Sequence, residues 1–266
     1  MTAPLPDVSN LEGVLGDICR DRADDYAAAP LEVLASPRVN ARQFEDALWE
    51  RGQHGSVKLI AEVKRSRPSE VINLELDAVE AARQYVAGGA SAISVLTEPR
   101  RFNGSLEDAR AVIAAVNVPV LRKDFTVHPR MIAEAQEVGA SAVLLLVNVL
   151  GDLTRDYVAL THQCGLEALV EVHTEEELDL ALTSGARIIG VNNRDLKTLE
   201  LNLGTAPRVG LLAREYDFDG VLIALSGYSN RAELISLEGV FDAVLIGSSL
   251  SGASDSASAA RGLLGR

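Results

Sequence analysis

Six short stretches of this chain carry side chains that can move protons or hold an anion. Glu62-Val63-Lys64 sets a carboxylate and an ammonium two residues apart, on one face if the stretch is a strand. Leu121-Arg122-Lys123-Asp124-Phe125 offers a second lysine. Val170-Glu171-Val172-His173 offers a second carboxylate, and Val191-Asn192-Asn193-Arg194-Asp195 an amide and a cation. Two carboxylates, two lysines and an amide gathered at one place would form acid–base machinery with mutually shifted pKa values. A lysine beside another cation loses its proton more readily and can act as a donor near neutral pH. Leu225-Ser226-Gly227 and Ile246-Gly247-Ser248-Ser249 differ in kind, because their small residues leave backbone N–H groups open to a phosphate. Blander readings exist for each: a rim salt bridge for Glu62 and Lys64, and ordinary Gly-Ser turns for the last two. A metal at Glu171 and His173 is not expected, since His54, His128 and His162 show no ligand spacing.

What positions these groups is a repeating pattern. Each stretch follows an apolar run: KLIAEV (58–63), VPVLR (118–122), EALVEV (167–172), RIIGVN (187–192), GVLIAL (220–225) and FDAVLIG (241–247). SAISVL (91–96) and AVLLLV (142–147) bring the runs to eight. Short, nearly all-apolar runs read as parallel strands covered on their outer face. Amphipathic segments such as LDAVEAARQYVA, PRMIAEAQEV and TEEELDLALTS lie between them, and Thr174 with Glu177 has the spacing of a capping box. AGGAS, VGAS and SGAR precede three runs and fit glycine-capped helix ends. The arithmetic predicts a (β/α)8 TIM barrel, whose active site lies at the C-terminal strand ends. The rival, a doubly wound open sheet, usually has fewer strands and a Gly-rich fingerprint after the first, which is absent. We divide the chain into an N-terminal helical extension (1–55) and the barrel (56–266), one domain overall. The extension, LEGVLGDICRDRADDYA and RQFEDALWERG, is placed either under the barrel or over its active end.

The chain has 266 residues, enough for one such barrel, and 47% of them are hydrophobic, which excludes global disorder. Its formal charge of −13 argues against a nucleic-acid partner but not against one small anion held locally. Cys19 and Cys164 imply no disulfide framework and fit a reducing cytoplasm. No apolar run reaches the roughly 18 residues of a membrane span, and the start, MTAPLPDVSN, does not read as a signal peptide. A soluble monomer without metal, flavin or nicotinamide cofactor is expected.

Longer blocks are more specific. IAEVKR (60–65), SVLTEPRRFNGSLED (94–108), PVLRKDF (119–125), LVEVHTEEEL (169–178), IIGVNNRDLKTLE (188–200) and DAVLIGSSL (242–250) together resemble the indole-3-glycerol phosphate synthase family of tryptophan biosynthesis. The resemblance implies decarboxylative ring closure and dehydration of 1-(2-carboxyphenylamino)-1-deoxyribulose 5-phosphate, a phosphorylated N-aryl amino-ketose, by a carboxy-lyase. It makes Lys123 the general acid and Glu171 the base of the dehydration. Lys64 pairs with substrate negative charge, and Glu62 and Asn192 orient these groups. Arg194 steadies substrate or loop, Phe125 walls the aromatic ring, and Ser69 belongs to the loop bordering the substrate carboxylate. Ser226, Gly227, Gly247 and Ser248 match the phosphate site.

Three positions depart from that pattern. Leu225 replaces a glutamate and cannot accept a hydrogen bond. In the loop after the first run, Arg67 replaces a serine and Val71 a glycine; Arg67 reads equally as an anion clamp or as a solvated side chain. Arg130, after His128-Pro129, replaces an aromatic residue on the surface. Two further readings follow from these departures: a paralogue acting on a related N-aryl amino-ketose phosphate, and a binding protein with little turnover.

Overall fold

The computed structural model describes residues 1–33, 43–49 and 57–266. Eight parallel strands close on themselves: β1 (Lys58–Val63), β2 (Ala92–Leu96), β3 (Val120–Lys123), β4 (Ala142–Leu146), β5 (Glu167–Val172), β6 (Ile188–Asn192), β7 (Val221–Leu225) and β8 (Ala243–Ile246). Each strand pairs with its sequence neighbours, and β8 closes on β1 through Lys58–Ala243 to Ala61–Ile246. The eight apolar runs are these strands. The third begins two residues later than its run because Pro119 has no N–H to give the ladder.

Alternation within each strand divides the core in two. Ile60, Leu121, Leu169, Ile223 and Leu245 point inward and pack one another along the barrel axis. Leu59, Ala61, Val63, Val170 and Val244 point outward, under the helices. Those helices are α3 (Ala78–Ala87), α4 (Leu106–Ala115), α5 (Pro129–Val138), the short α6 (Val147–Leu150), α7 (Thr154–Gln163), α8 (Glu175–Thr183), α9 (Thr205–Glu215), α10 (Arg231–Ile235), α11 (Ser248–Ser251) and α12 (Ser256–Leu264). Their starts obey local chemistry: Asp77, Ser105, Asn230 and Asp255 accept first-turn N–H groups, and Pro129 opens α5. Thr174 forms half of its expected box. Its hydroxyl accepts from Glu177 N at 3.2 Å, but the Glu177 carboxylate reaches one residue further, to His173 N at 2.6 Å.

The extension does both things that its sequence left open. α1 (Gly13–Asp25) lies at the C-terminal mouth, where Arg22 meets Asp124, just past β3. α2 (Gln43–Leu48) lies at the opposite end, where the Glu167 carboxylate that begins β5 accepts from Phe44 N at 2.6 Å and Glu45 N at 2.7 Å. The boundary drawn at 55/56 and the ends of RQFEDALWERG lie outside the described residues. Cys19 and Cys164 are free and buried. No helix among the described residues is long and apolar enough to cross a membrane.

Candidate active site

Inward-pointing positions at the C-terminal strand ends build a cavity of about 340 Å³, within the range of small-molecule sites. Every residue singled out from the sequence as a site candidate lines it: Glu62, Lys64, Ser69, Lys123, Phe125, Glu171, Asn192, Arg194, Ser226, Gly227, Gly247 and Ser248.

Glu62 shares the inward face of β1 with Ile60 and is fully buried. One of its oxygens pairs with Lys64 Nζ, and the other with Lys123 Nζ at 2.9 Å and Ser94 Oγ at 3.4 Å. The Glu62–Lys64 contact is thus a salt bridge, but an inward one that shares its carboxylate with a second lysine. Burial opposes the Glu62 charge, yet the two ammonium groups outweigh it and hold its pKa at about 2. Across the mouth, Asn192 Nδ2 donates to Glu171 Oε1 at 2.7 Å, and Asn192 Oδ1 accepts from Arg194 N at 2.9 Å. Burial pushes Glu171 above the usual carboxylate range; Lys123 and Asn192 only partly offset it. The lysines split. Burial and the neighbouring cation carry Lys64 below its ordinary value, although Glu62 opposes them. Burial also opposes the charge on Lys123, but Glu62 and Glu171 outweigh it and raise that lysine. The expectation that cation proximity would ease proton loss therefore holds for Lys64 and is reversed for Lys123, which faces two carboxylates.

The two small-residue turns flank this group. A Cβ at Gly247 would come within 2.6 Å of Glu62 Oε1 and 3.1 Å of Lys64 Nζ, so a bare backbone is required there. Ser226 and Gly227 both have left-handed backbones, φ +66° and +91°, an uncommon conformation for serine. A side chain at Gly227 would strike Leu203 and Leu201. Asn193 locks this turn, donating to Ser226 O at 3.0 Å and accepting from Ala206 N at 2.8 Å. Past Gly247, Leu250 N and Ser251 N of α11 donate back to Gly247 O, so the first-turn N–H groups that the helix does not use are those of Ser248 and Ser249.

The remaining wall is apolar. Phe125 packs against Phe102 with centroids 5.9 Å apart, and Leu15 and Ile18 of α1 cover them. Leu225 is 2% exposed, on the inward face of β7, and its side chain fills the space that Gly190 leaves. After β1, Ser66–Arg67 pairs antiparallel with Glu70–Val71 in a small hairpin. Val71 is therefore extended and needs no positive φ, and Arg67 lies over the mouth, ion-paired with Glu70. Arg130 pairs with Glu137 on the outer face of α5. His173 Nδ1 meets Asn192 O at 2.7 Å, and no cluster of three or more potential metal-ligating His, Cys, Asp or Glu side chains occurs among the described residues.

The sequence reading left open that the extension covers the mouth, and it missed three contributions. Phe102, within RRFNG, walls the cavity beside the apolar face of α1. Asn193 braces the turn at Ser226. Arg22 Nε and Nη2 grip Asp124 at 3.1 and 2.9 Å, with Thr97 Oγ1 on the same carboxylate at 2.6 Å. Only the acidic residue in RKDF hinted at this last contact.

Ammonium groups that can give protons, facing a carboxylate made more basic than usual, define a class: a (β/α)8-barrel enzyme of acid–base chemistry on a small molecule. Comparison with known proteins narrows the class. Residues 16–263 match the family described as "Indole-3-glycerol phosphate synthase". A protein of that name from Deinococcus radiodurans is 52% identical over 270 residues, covering all of both chains. One from Rhodococcus jostii is 45% identical over 246 residues, covering 91% of this chain and 88% of its own. The chain belongs to the indole-3-glycerol phosphate synthase family. The fold alone is shared with thiamine phosphate pyrophosphorylase from Pyrococcus furiosus (TM-score 0.60, 18% identity, 80% of this chain and 96% of that one).

Proposed function

We propose that this chain is a carboxy-lyase converting 1-(2-carboxyphenylamino)-1-deoxyribulose 5-phosphate to indole-3-glycerol phosphate, carbon dioxide and water. The observation that carries this reading is the pairing of Lys64 and Lys123 on one buried Glu62, opposite Glu171 and Asn192 in the same cavity. Lys123, held charged by two carboxylates, protonates the ketone oxygen as the ring carbon attacks the carbonyl carbon and the C=O π pair moves onto that oxygen. Lys64 attracts the substrate's negative charge, and its weakened hold on its proton suits a later delivery. Loss of carbon dioxide restores the aromatic ring. Glu171 then takes a proton as the hydroxyl departs, and burial equips it as a base. Glu62 holds the two ammonium groups apart, and Asn192 aims Glu171. Phe125 with Phe102 receives the aryl ring, while Ser226–Gly227 and Gly247–Ser248 receive the phosphate. Ser69 and Arg194 border the substrate from the loops. The chain acts as a monomer in the cytoplasm.

A steady-state assay on the carboxyphenylamino-deoxyribulose phosphate, followed by indole fluorescence, tests the reading. Lys123→Ala is expected to lower kcat by roughly 10²- to 10⁴-fold, the range of a lost general acid. Substrate binding without turnover in the unmodified chain would support the binding-protein reading instead. Turnover only of another N-aryl amino-ketose phosphate would support the paralogue. The family match and the names of the relatives favour neither.

A further inference from the structure

Arg67 belongs to the hairpin that follows β1, and Arg194 to the loop that follows β6. Around the barrel, β8 and β7 lie between those strands, and both small-residue turns follow them. Yet Arg67 and Arg194 line one cavity together with Ser226, Gly227 and Ser248. The hairpin thus brings a second guanidinium group into the cavity onto which both turns open. The two guanidinium groups are close enough that burial and the charge of Arg67 hold Arg194 below its ordinary value. Arg194 donates to Leu199 O at 2.7 Å, and no carboxylate pairs with it among the described residues. Among the described residues the carboxylate paired with Arg67 is Glu70, directly opposite in the hairpin, with Nε–Oε2 at 3.0 Å. The two side chains are 34% and 54% exposed, so this pair is weak and easily exchanged.

We propose that Arg67 is an anion clamp that closes with Arg194 over the phosphate of the substrate, and that Glu70 is its internal competitor. In the empty site Glu70 occupies the Arg67 guanidinium. An arriving phosphate dianion satisfies both guanidinium groups and draws Arg67 from Glu70, folding the hairpin down on the mouth. A phosphate is favoured over the substrate carboxylate for two reasons. Two guanidinium groups match a doubly charged group, and Lys64 and Lys123, both held on buried Glu62, remain for the single charge.

The proposal rests on a phosphorylated substrate, and its test is chosen to stand apart from turnover. The full chain is titrated calorimetrically with inorganic phosphate, as wild type, Arg67→Ser, Glu70→Gln and the double variant. Arg67→Ser is expected to weaken phosphate binding about five- to tenfold, a charge-assisted contact discounted for exposure. Glu70→Gln is expected to tighten it about two- to fivefold, by removing the competitor. The double variant should match Arg67→Ser. A purely structural hairpin pair would move both single variants in the same direction, and that result, or no movement in either, overturns the clamp. A parallel titration with 2-aminobenzoate should leave Arg67→Ser unchanged. Weakening there but not with phosphate would place the guanidinium on the carboxylate and overturn the phosphate assignment. If wild type shows no turnover of the deoxyribulose phosphate, the proposed reaction fails separately from these binding shifts.

Discussion

Asn192 donates to the carboxylate that must accept a proton, so its loss has a signed consequence. Burial raises Glu171, and Lys123 and Asn192 restrain the rise. In Asn192→Ala one restraint is gone, and Glu171 climbs further. The base form exists only above that pKa, so the acid limb of kcat/KM should move to higher pH while the alkaline limb stays. An unmoved acid limb would remove Glu171 from the role of base. Leu225 is the second instructive residue. Its side chain packs over Gly190 on the inward face, where a glutamate of similar size would bring a further carboxylate into the cavity. If the leucine merely slows the reaction, Leu225→Glu should raise kcat/KM by roughly tenfold or more. An unchanged or lower rate would mean that the apolar contact is part of how this cavity works.

At the scale of elements, α1 is a wall that has to be held. Leu15 and Ile18 form part of the cavity, and the helix end is riveted twice: Arg22 to Asp124 at 2.9 Å, and Asp25 to Arg100 at 2.6 Å. The first pair is almost wholly buried and reaches the residue next to Lys123. Arg22→Ala removes the closer of two cations on the Asp124 carboxylate; Arg122 Nη2 stays at 3.5 Å, and Thr97 Oγ1 and Phe125 N still donate to it. We expect a loss of about 2 kcal/mol in urea denaturation, because the buried charge keeps a partner. In the assay, KM should rise more than kcat falls, because the wall loosens while Lys123 keeps its Glu62 contact. Equal losses in both constants would mean that α1 also positions the acid. The α2 helix has no such part; it closes the other end with Phe44 and Leu48.

Across the whole molecule, the two ends of one barrel use buried carboxylates differently. Glu62, at the mouth, is held at about 2 by two cations despite burial. Glu167, at the floor, has no lysine or arginine ion-paired to it among the described residues. Burial pushes it to about 7, aided by Glu45 and Asp46 and opposed by two backbone N–H groups. A raised carboxyl pKa in the folded state makes the contribution to stability full below about 4.5 and lost as the pH rises through about 7. The difference is about 3 kcal/mol. Urea denaturation at pH 5 and pH 8 should show this fall in the wild type and a much smaller one in Glu167→Gln. Equal pH dependence in both would show that Glu167 ionises normally.

The strands and the mouth were legible because their cause is local. A parallel strand buried on both faces must be apolar throughout, so Glu62, Lys123, Glu171 and Asn192 stood out as polar ends of apolar runs. Period-two alternation already put Glu62 and Lys64 on one face. Other features depend on partners distant in the chain. Arg22 and Asp124 are 102 residues apart, and only their meeting decides that α1 covers the mouth while α2 takes the floor. The divergence of the two lysines is likewise tertiary, because Lys123 faces Glu171 as well as Glu62. Residue type and period are written along the chain. Which charge faces which is a matter of distance in space, and only the closed barrel sets those distances.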